Sequence, residues 1–162
     1  MTKCNIKVAF FDLDGTLTDG MYHVGANGEL TKSFNTKDFK GLSELHEEGI
    51  QVHIITHSDD SVIHQKVKEL KFPIEIHHLS GDKAGYIEKW CQENDFDVVD
   101  NVAFMGDDIG DLTAMAMVYF NASPKDSHYT VRNISRYKCR LKGGKGAVRE
   151  FCDFILLENE RK

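Results

Sequence analysis

The stretch Lys7-Val8-Ala9-Phe10-Phe11-Asp12-Leu13-Asp14-Gly15-Thr16 decides the fold of this chain. Five residues of almost unbroken apolar character read as a short strand buried on both faces, and Gly15 marks the turn that ends it. Two carboxylates then stand two residues apart at the strand's carboxyl end. A fraying strand end can turn side chains and backbone carbonyls toward one ligand, the donor set that a hard divalent cation takes. With an electrophile bound, one carboxylate can attack while the other moves a proton.

A second acidic cluster follows another apolar strand: Val102-Ala103-Phe104-Met105, then Gly106-Asp107-Asp108-Ile109-Gly110-Asp111. Ligands of open α/β sheets bind beyond the carboxyl ends of the strands, so both clusters are expected at one sheet edge. Five carboxylates converging there repel one another, and a bound cation relieves the repulsion. Every donor is oxygen, which selects Mg²⁺. Between the clusters, the apolar strand Val52-His53-Ile54-Ile55 ends in Thr56, and Lys83 opens a helical pattern running to Glu93.

Taken in order, Asp12-Leu13-Asp14-Gly15-Thr16, Thr56, Lys83 and Gly106-Asp107-Asp108-Ile109-Gly110-Asp111 resemble the four motifs of the haloacid dehalogenase superfamily of phosphohydrolases. The resemblance implies Asp12 as the nucleophile that forms an aspartyl-phosphate and Asp14 as general acid, then base. It implies Thr56 and Lys83 as holders of the phosphoryl oxygens. Asp12, the Asp14 backbone carbonyl and Asp107 would ligate Mg²⁺, with Asp108 and Asp111 orienting water and Lys83.

The 162 residues suit one domain, residues 1–162, and 41% hydrophobic with 28% charged residues describes a globular chain. A net charge of -6 argues against a general nucleic-acid binder, and no apolar run approaches a membrane span. The N-terminal Met1-Thr2-Lys3-Cys4-Asn5 runs into a strand rather than a signal peptide, so a cytoplasmic setting is expected. Cys4, Cys91, Cys139 and Cys152 lack a CxxC spacing and read as reduced packing thiols.

Alternating patterns predict a Rossmann-like doubly wound parallel α/β sheet. Strands are expected near 7–12, 50–56, 74–77, 102–106 and 118–121. Helices are expected near 37–48, 59–71, 82–94, 108–116, 126–132 and 146–157. An insertion at about 20–35, with Asn27-Gly28 as its turn signal, reads as a β-hairpin standing where a cap domain would be. A hairpin of that size is marginal without a surface to pack on: either its own core or other subunits.

With Thr18-Asp19-Gly20, Phe34-Asn35-Thr36-Lys37-Asp38, Gly41 and the tail Gly143-Gly144-Lys145-Gly146-Ala147-Val148-Arg149-Glu150, the chain is similar nearly end to end to the capless branch of the superfamily. That branch contains the 3-deoxy-D-manno-octulosonate 8-phosphate phosphatases, phosphatases of nonulosonate (sialate) 9-phosphates, and the C-terminal domain of animal CMP-sialic acid synthetases. The resemblance implies a homotetramer in which the tail enters a neighbour's site, with Arg149 at a helix start. It also makes Asn35, Thr36 and Asp38 substrate contacts. The tail carries seven basic residues from Arg132 to Arg149 and no acid, which suits either an anionic substrate or a solvated face.

Octulosonate phosphatases commonly follow the motif-two threonine with Gly-Arg, whereas His57-Ser58 stand here, and Lys66 stands where relatives carry another arginine. His57 and Lys66 are therefore candidates for setting the choice of sugar acid. His53, His57, His64, His77 and His78 lack an HExxH or Cys/His pairing, which argues against zinc. The expected activity is Mg²⁺-dependent hydrolysis of the terminal phosphate of an eight- or nine-carbon 2-keto-3-deoxy sugar acid. The rivals are a broad sugar-phosphate phosphatase and a low-activity oligomerisation domain like that of the synthetases.

Overall fold

Val8–Phe11 (β1) is buried along its whole length and lies at the middle of a six-stranded parallel sheet. The computed structural model describes residues 5–59 and 61–161; Cys4, and with it the reading of the N-terminus, lies outside them. After β1 come the hairpin strands β2 (His23–Val24) and β3 (Leu30–Thr31), α1 (Thr36–Glu47), β4 (Gln51–Thr56), α2 (Ser61–Lys68) and β5 (Glu75–His78). Then follow α3 (Lys83–Glu93), α4 (Val98–Asn101), β6 (Val102–Met105), α5 (Leu112–Met117), β7 (Phe120–Ser123), α6 (Tyr129–Ile134), β8 (Tyr137–Lys138) and α7 (Ala147–Glu160).

The strand order is β5-β4-β1-β6-β7-β8, with β1 hydrogen-bonded to β4 on one side and β6 on the other. The chain winds from β1 toward β5, then restarts at β6 and winds the other way. The crevice where the winding reverses lies past the carboxyl ends of β1 and β6, where Asp12 and Asp107 begin their loops. Alternation along β1 fills two cores. Ala9 and Phe11 pack with Leu42, Leu45, Phe151 and Ile155 of α1 and α7, and Val8 and Phe10 pack with Ile87, Cys91 and Met115 of α3 and α5. This is the doubly wound α/β layout expected, with no cap domain.

Differences from expectation have local causes. The sixth strand, β8, is two residues long, too short to show alternation. α4 is a single turn started by Asp97, whose carboxylate accepts from Val99 and Asp100 N–H at 2.9 and 2.8 Å. β7 runs over 120–123 rather than 118–121, because α5 continues to Met117 and Val118 ends it; inside the strand, buried Asn121 satisfies its amide sideways, Nδ2 donating to Met115 O and Oδ1 accepting from Arg136 N, each at 2.7 Å. The hairpin strands are two residues each and close through Gly25, whose N–H donates to Glu29 O at 2.9 Å. Among the described residues, no helix is long and apolar enough to cross a membrane.

Candidate active site

The loop after β1 is an irregular turn, Leu13–Leu17, closed by Thr18 N–H donating to Leu13 O at 3.1 Å. Gly15 sits there at φ 85°, and a Cβ on it would lie 1.9 Å from Asp107 Oδ2. Glycine is thus required twice over: for the backbone conformation and for the approach of the two acidic loops. After β6, Asp111 folds back over its own turn, its Oδ2 accepting from Asp107 and Asp108 N–H at 3.0 and 3.2 Å. Asp82 starts α3 by accepting from Ala84 and Gly85 N–H, and the Gly85 and Ala84 amides hold its carboxyl below the usual range. That cap aims the next residue, Lys83, into the crevice.

Lys83 Nζ donates to Asp12 Oδ1 and Asp111 Oδ1, each at 2.7 Å, with its side chain 3% exposed. Burial works against its charge, but Asp12 and then Asp111 outweigh it, and its pKa stands above the ordinary lysine value. Asp12 and Asp107 are both pushed upward, first by burial; Asp111 then raises Asp12 against the pull of Lys83, and Asp12, followed by Asp111, raises Asp107. Two buried carboxylates that both tend to hold a proton mark a site lacking positive charge. Asp12, Asp107 and Asp111 bring carboxylate oxygens within 4.8 Å of one another. Both oxygens of Asp111 are already committed to Lys83 and backbone amides, which leaves Asp12 and Asp107 as the carboxylates for a cation. Hard oxygen donors at a site short of positive charge fit Mg²⁺.

A crevice of about 190 Å³ gathers Asp12, Asp14, Thr56, His57, Ser58, Lys83, Asp107, Asp108, Gly110 and Asp111. Asp14 is surrounded by donors rather than carboxylates. Lys32 Nζ donates to its two oxygens at 2.8 and 3.0 Å, Ser58 Oγ to Oδ2 at 2.7 Å, and Thr18 Oγ1 to Oδ1 at 3.3 Å. Thr56, 2% exposed, accepts from Ser58 N–H at 3.0 Å, and His57 Nε2 lies 2.8 Å from Gly81 O on the rim. Lys32, absent from the sequence reading, comes from the end of the hairpin with its side chain 3% exposed. Nothing local to it in sequence marks that reach. A larger hollow, about 730 Å³, opens at the other end of the sheet among Glu48, Asp97, Asp100 and Glu160. Among the described residues Lys7 is the one basic residue in its lining, a poor match for a phosphate.

The other candidates fall elsewhere in this chain. Asn35 caps α1, accepting from Lys37 N–H at 2.9 Å, and Thr36 is the exposed first residue of that helix. Asp38 is fully buried between helices, accepting from Arg149 N–H at 2.9 Å at the start of α7. The Arg149 guanidinium pairs with Glu44 and Asp153 at 3.0 and 2.8 Å. Lys66 pairs with Glu69 and lies over the Phe39 ring. The glycine tail rests on this chain's own first loop: Gly144 N–H donates to Thr16 O at 3.0 Å, and a Cβ on Gly143 would lie 1.9 Å from Gly15 O. Of the seven basic residues in that region, Arg132 holds Pro124 and Cys139 carbonyls, Arg136 covers the Tyr119 ring, and Arg140 pairs with Glu150.

No protein-family model matches the chain. It is 33% identical over 161 residues to the 3-deoxy-D-manno-octulosonate 8-phosphate phosphatase KdsC of Yersinia pestis, covering 97% of this chain and 83% of that protein. It is 31% identical over 154 residues to the N-acylneuraminate cytidylyltransferase of Oncorhynchus mykiss, covering 94% of this chain and 35% of that protein. Among solved structures, the Yersinia pestis phosphatase superposes with a TM-score of 0.91 at 31% identity, covering 99% of this chain and 85% of that one. The Moraxella catarrhalis phosphatase, solved with a magnesium ion, a phosphate ion and a KDO molecule, gives 0.89 at 32% identity, covering 96% of this chain and 88% of that one. On that sequence and structural likeness, the chain belongs to the 3-deoxy-D-manno-octulosonate 8-phosphate phosphatases of the haloacid dehalogenase superfamily, a family of phosphoric monoester hydrolases.

Proposed function

We propose that this chain, as a single capless domain spanning residues 1–162, hydrolyses the terminal phosphate of a 2-keto-3-deoxy sugar acid. Octulosonate 8-phosphate is the first substrate and a nonulosonate 9-phosphate the second. The observation that carries this reading is the pair of hydrogen bonds from Lys83 Nζ to Asp12 and Asp111 inside an all-oxygen acidic crevice. Lys83 keeps Asp12 available as an anion despite burial. The Asp12 carboxylate attacks phosphorus, the bond to the sugar oxygen breaks, and Asp14, entering this step as the protonated acid, gives its proton to that oxygen and is left as the carboxylate that Lys32 and Ser58 hold. Asp14 then takes a proton from the water that attacks the aspartyl-phosphate, releasing phosphate and regenerating Asp12. Thr56 and Lys83 meet the phosphoryl oxygens, Asp108 and Asp111 orient water and Lys83, and Lys32 and Ser58 fix the Asp14 carboxylate. A Mg²⁺ ion held by Asp12, Asp107 and the Asp14 carbonyl adds positive charge against the same oxygens.

His57, on the rim, is the substrate contact we favour for choosing the sugar acid. Met21, Tyr22 and Val24 stand exposed on the hairpin, which supports assembly into a homotetramer through that element. In such an assembly a neighbour's Asn35, Thr36 and Lys66, with Arg149, would complete the substrate site, whereas Asp38 stays buried between α1 and α7 and the glycine tail stays on its own first loop. Three buried free thiols, Cys91, Cys139 and Cys152, suit a reducing cytoplasmic setting.

The test is phosphate release with Mg²⁺ from octulosonate 8-phosphate, sialate 9-phosphate and its deaminated analogue, with Asp12→Asn as control. Preference for one substrate, lost in the variant, is expected. A folded tetramer that releases no phosphate from any of them points instead to the second reading, an oligomerisation domain, which the likeness to the trout cytidylyltransferase favours.

A further inference from the structure

On the sheet face away from α1 and α7, His53 of β4 and His77 of β5 stack with ring planes 6° apart and centroids 5.0 Å apart. Nδ1 of His53 faces Nε2 of His77 at 2.7 Å. Oε2 of Glu75 lies 3.6 Å from the first nitrogen and 3.8 Å from the second. It is beyond hydrogen-bond reach of both and nearly equidistant from them, the position of a third ligand rather than of an acceptor. The outer nitrogens are held from behind. Gln51 Oε1 stands 3.4 Å from His53 Nε2, and Tyr86 Oη 2.6 Å from His77 Nδ1.

An amide oxygen accepts and cannot donate, so His53 carries its proton on Nε2 and turns a bare Nδ1 inward. The 2.7 Å contact is then an N–H···N hydrogen bond that His77 Nε2–H donates to His53 Nδ1, while the Tyr86 hydroxyl donates to His77 Nδ1; moving the ring proton of His77 to Nδ1, with Tyr86 Oη turning to accept it, bares Nε2 of His77 as well. In that tautomer two lone pairs and a carboxylate converge on one point, an arrangement that a cation between the nitrogens stabilises in place of the proton, and the outer nitrogens keep the contacts that metal-binding imidazoles require.

Against the sequence expectation of no zinc, which rested on the missing linear motif, we propose that His53, His77 and Glu75, brought together across two paired strands, form a second metal site for a borderline transition cation of the Zn²⁺ or Co²⁺ type. It lies about 10 Å along β4 from Thr56 and is chemically distinct from the all-oxygen magnesium crevice. Tetrahedral zinc with bonds of 2.0–2.1 Å sets its ligand atoms roughly 3.3–3.4 Å apart. The two nitrogen–oxygen distances are within about half an ångström of that, and the nitrogen pair reaches it by opening about 0.6 Å, a small rotation of two rings. Imidazole nitrogens select such a cation over Mg²⁺. Glu75, 65% exposed, gives the ion a path from solvent, and the fourth position is left to water. The ion would tie edge strand β5 to β4, since His53 and Glu75 are paired across that ladder.

Trp90, the one tryptophan of the chain, lies edge-on to His53 with centroids 4.7 Å apart and reports on the site. With the acidic crevice saturated by Mg²⁺, titration of the whole protein with Co²⁺ is expected to quench Trp90 fluorescence at one equivalent. Zn²⁺ should bind with the same stoichiometry by calorimetry. Glu75→Gln, a surface change that leaves the fold intact, should weaken the Co²⁺ effect by about tenfold, and His77→Gln should abolish it. Unchanged fluorescence overturns the proposal. So does an identical quenching curve in Glu75→Gln, which decides the matter even where His77→Gln does not fold.

Discussion

Lys83 lies 2.7 Å from two buried carboxylates and separates charges that otherwise face each other. Lys83→Met is expected to lower stability by about 3 kcal/mol in denaturant melts without divalent ions, because breaking a buried pair leaves an uncompensated charge. Adding Asp111→Asn should recover part of that loss, a coupling that a double-mutant cycle measures. Lys32→Met frees the Asp14 carboxylate that Lys32 and Ser58 hold. A loss of about tenfold or more in kcat is expected with the fold intact, read by steady-state phosphate release. Asp38 carries a pH signature of a different kind. Burial raises its pKa from 3.8 to about 6, against the Arg149 and Gly146 amides, so the folded chain holds this proton more tightly than the unfolded chain does. Stability from this group therefore falls as pH climbs from about 4 to about 6 and is flat above that. Asp38→Asn removes the slope, and its stability relative to the parent should rise across that window by up to about 3 kcal/mol in melts at matched pH.

At the scale of elements, the strand ends were legible because their chemistry is written linearly. An apolar run followed at once by Asp12 or Asp107 needs no partner to be recognised, and Lys83 is aimed by the cap one residue before it. Lys32 was illegible because its reach depends on where a two-stranded hairpin folds back, and neither of its short strands carries a packing period. Asp38 was read as a substrate contact from its place after the hairpin. Its burial at the start of α7 follows from the packing of α1 on α7, a meeting of segments far apart in sequence. β8 and α4 were missed because two strand residues or one helical turn fall below any periodicity. The tail offers an element-scale prediction: Gly143→Ala must push the first loop away, since the new Cβ would lie 1.9 Å from Gly15 O. Reduced phosphate release together with a lowered thermal midpoint is expected from that single methyl.

Across the whole molecule, the repulsion stored at the crevice couples ion binding to folding. Asp12 is driven toward protonation by burial and Asp111, and Asp107 by burial and Asp12, so an ion that supplies the missing positive charge favours the native state. Addition of Mg²⁺ should raise the thermal midpoint of the parent, with little or no rise in Asp107→Asn, by scanning calorimetry at fixed pH. Light scattering on a Met21→Ser, Val24→Ser variant tests the hairpin as the assembly element; a tetramer that survives both changes is held elsewhere.

The clasp of Gly143 and Gly144 over Thr16 and Thr18 also sets an order of events during folding. The first loop is bounded early by β1, yet its last wall comes from the far end of the sequence, after every other strand has been laid down. Closing so long a segment loses chain entropy before the contact returns anything. Catalytic competence is therefore expected to arrive as a late kinetic phase: refolding followed by phosphate release should lag behind the recovery of Trp90 fluorescence, and Gly143→Ala should lengthen that lag.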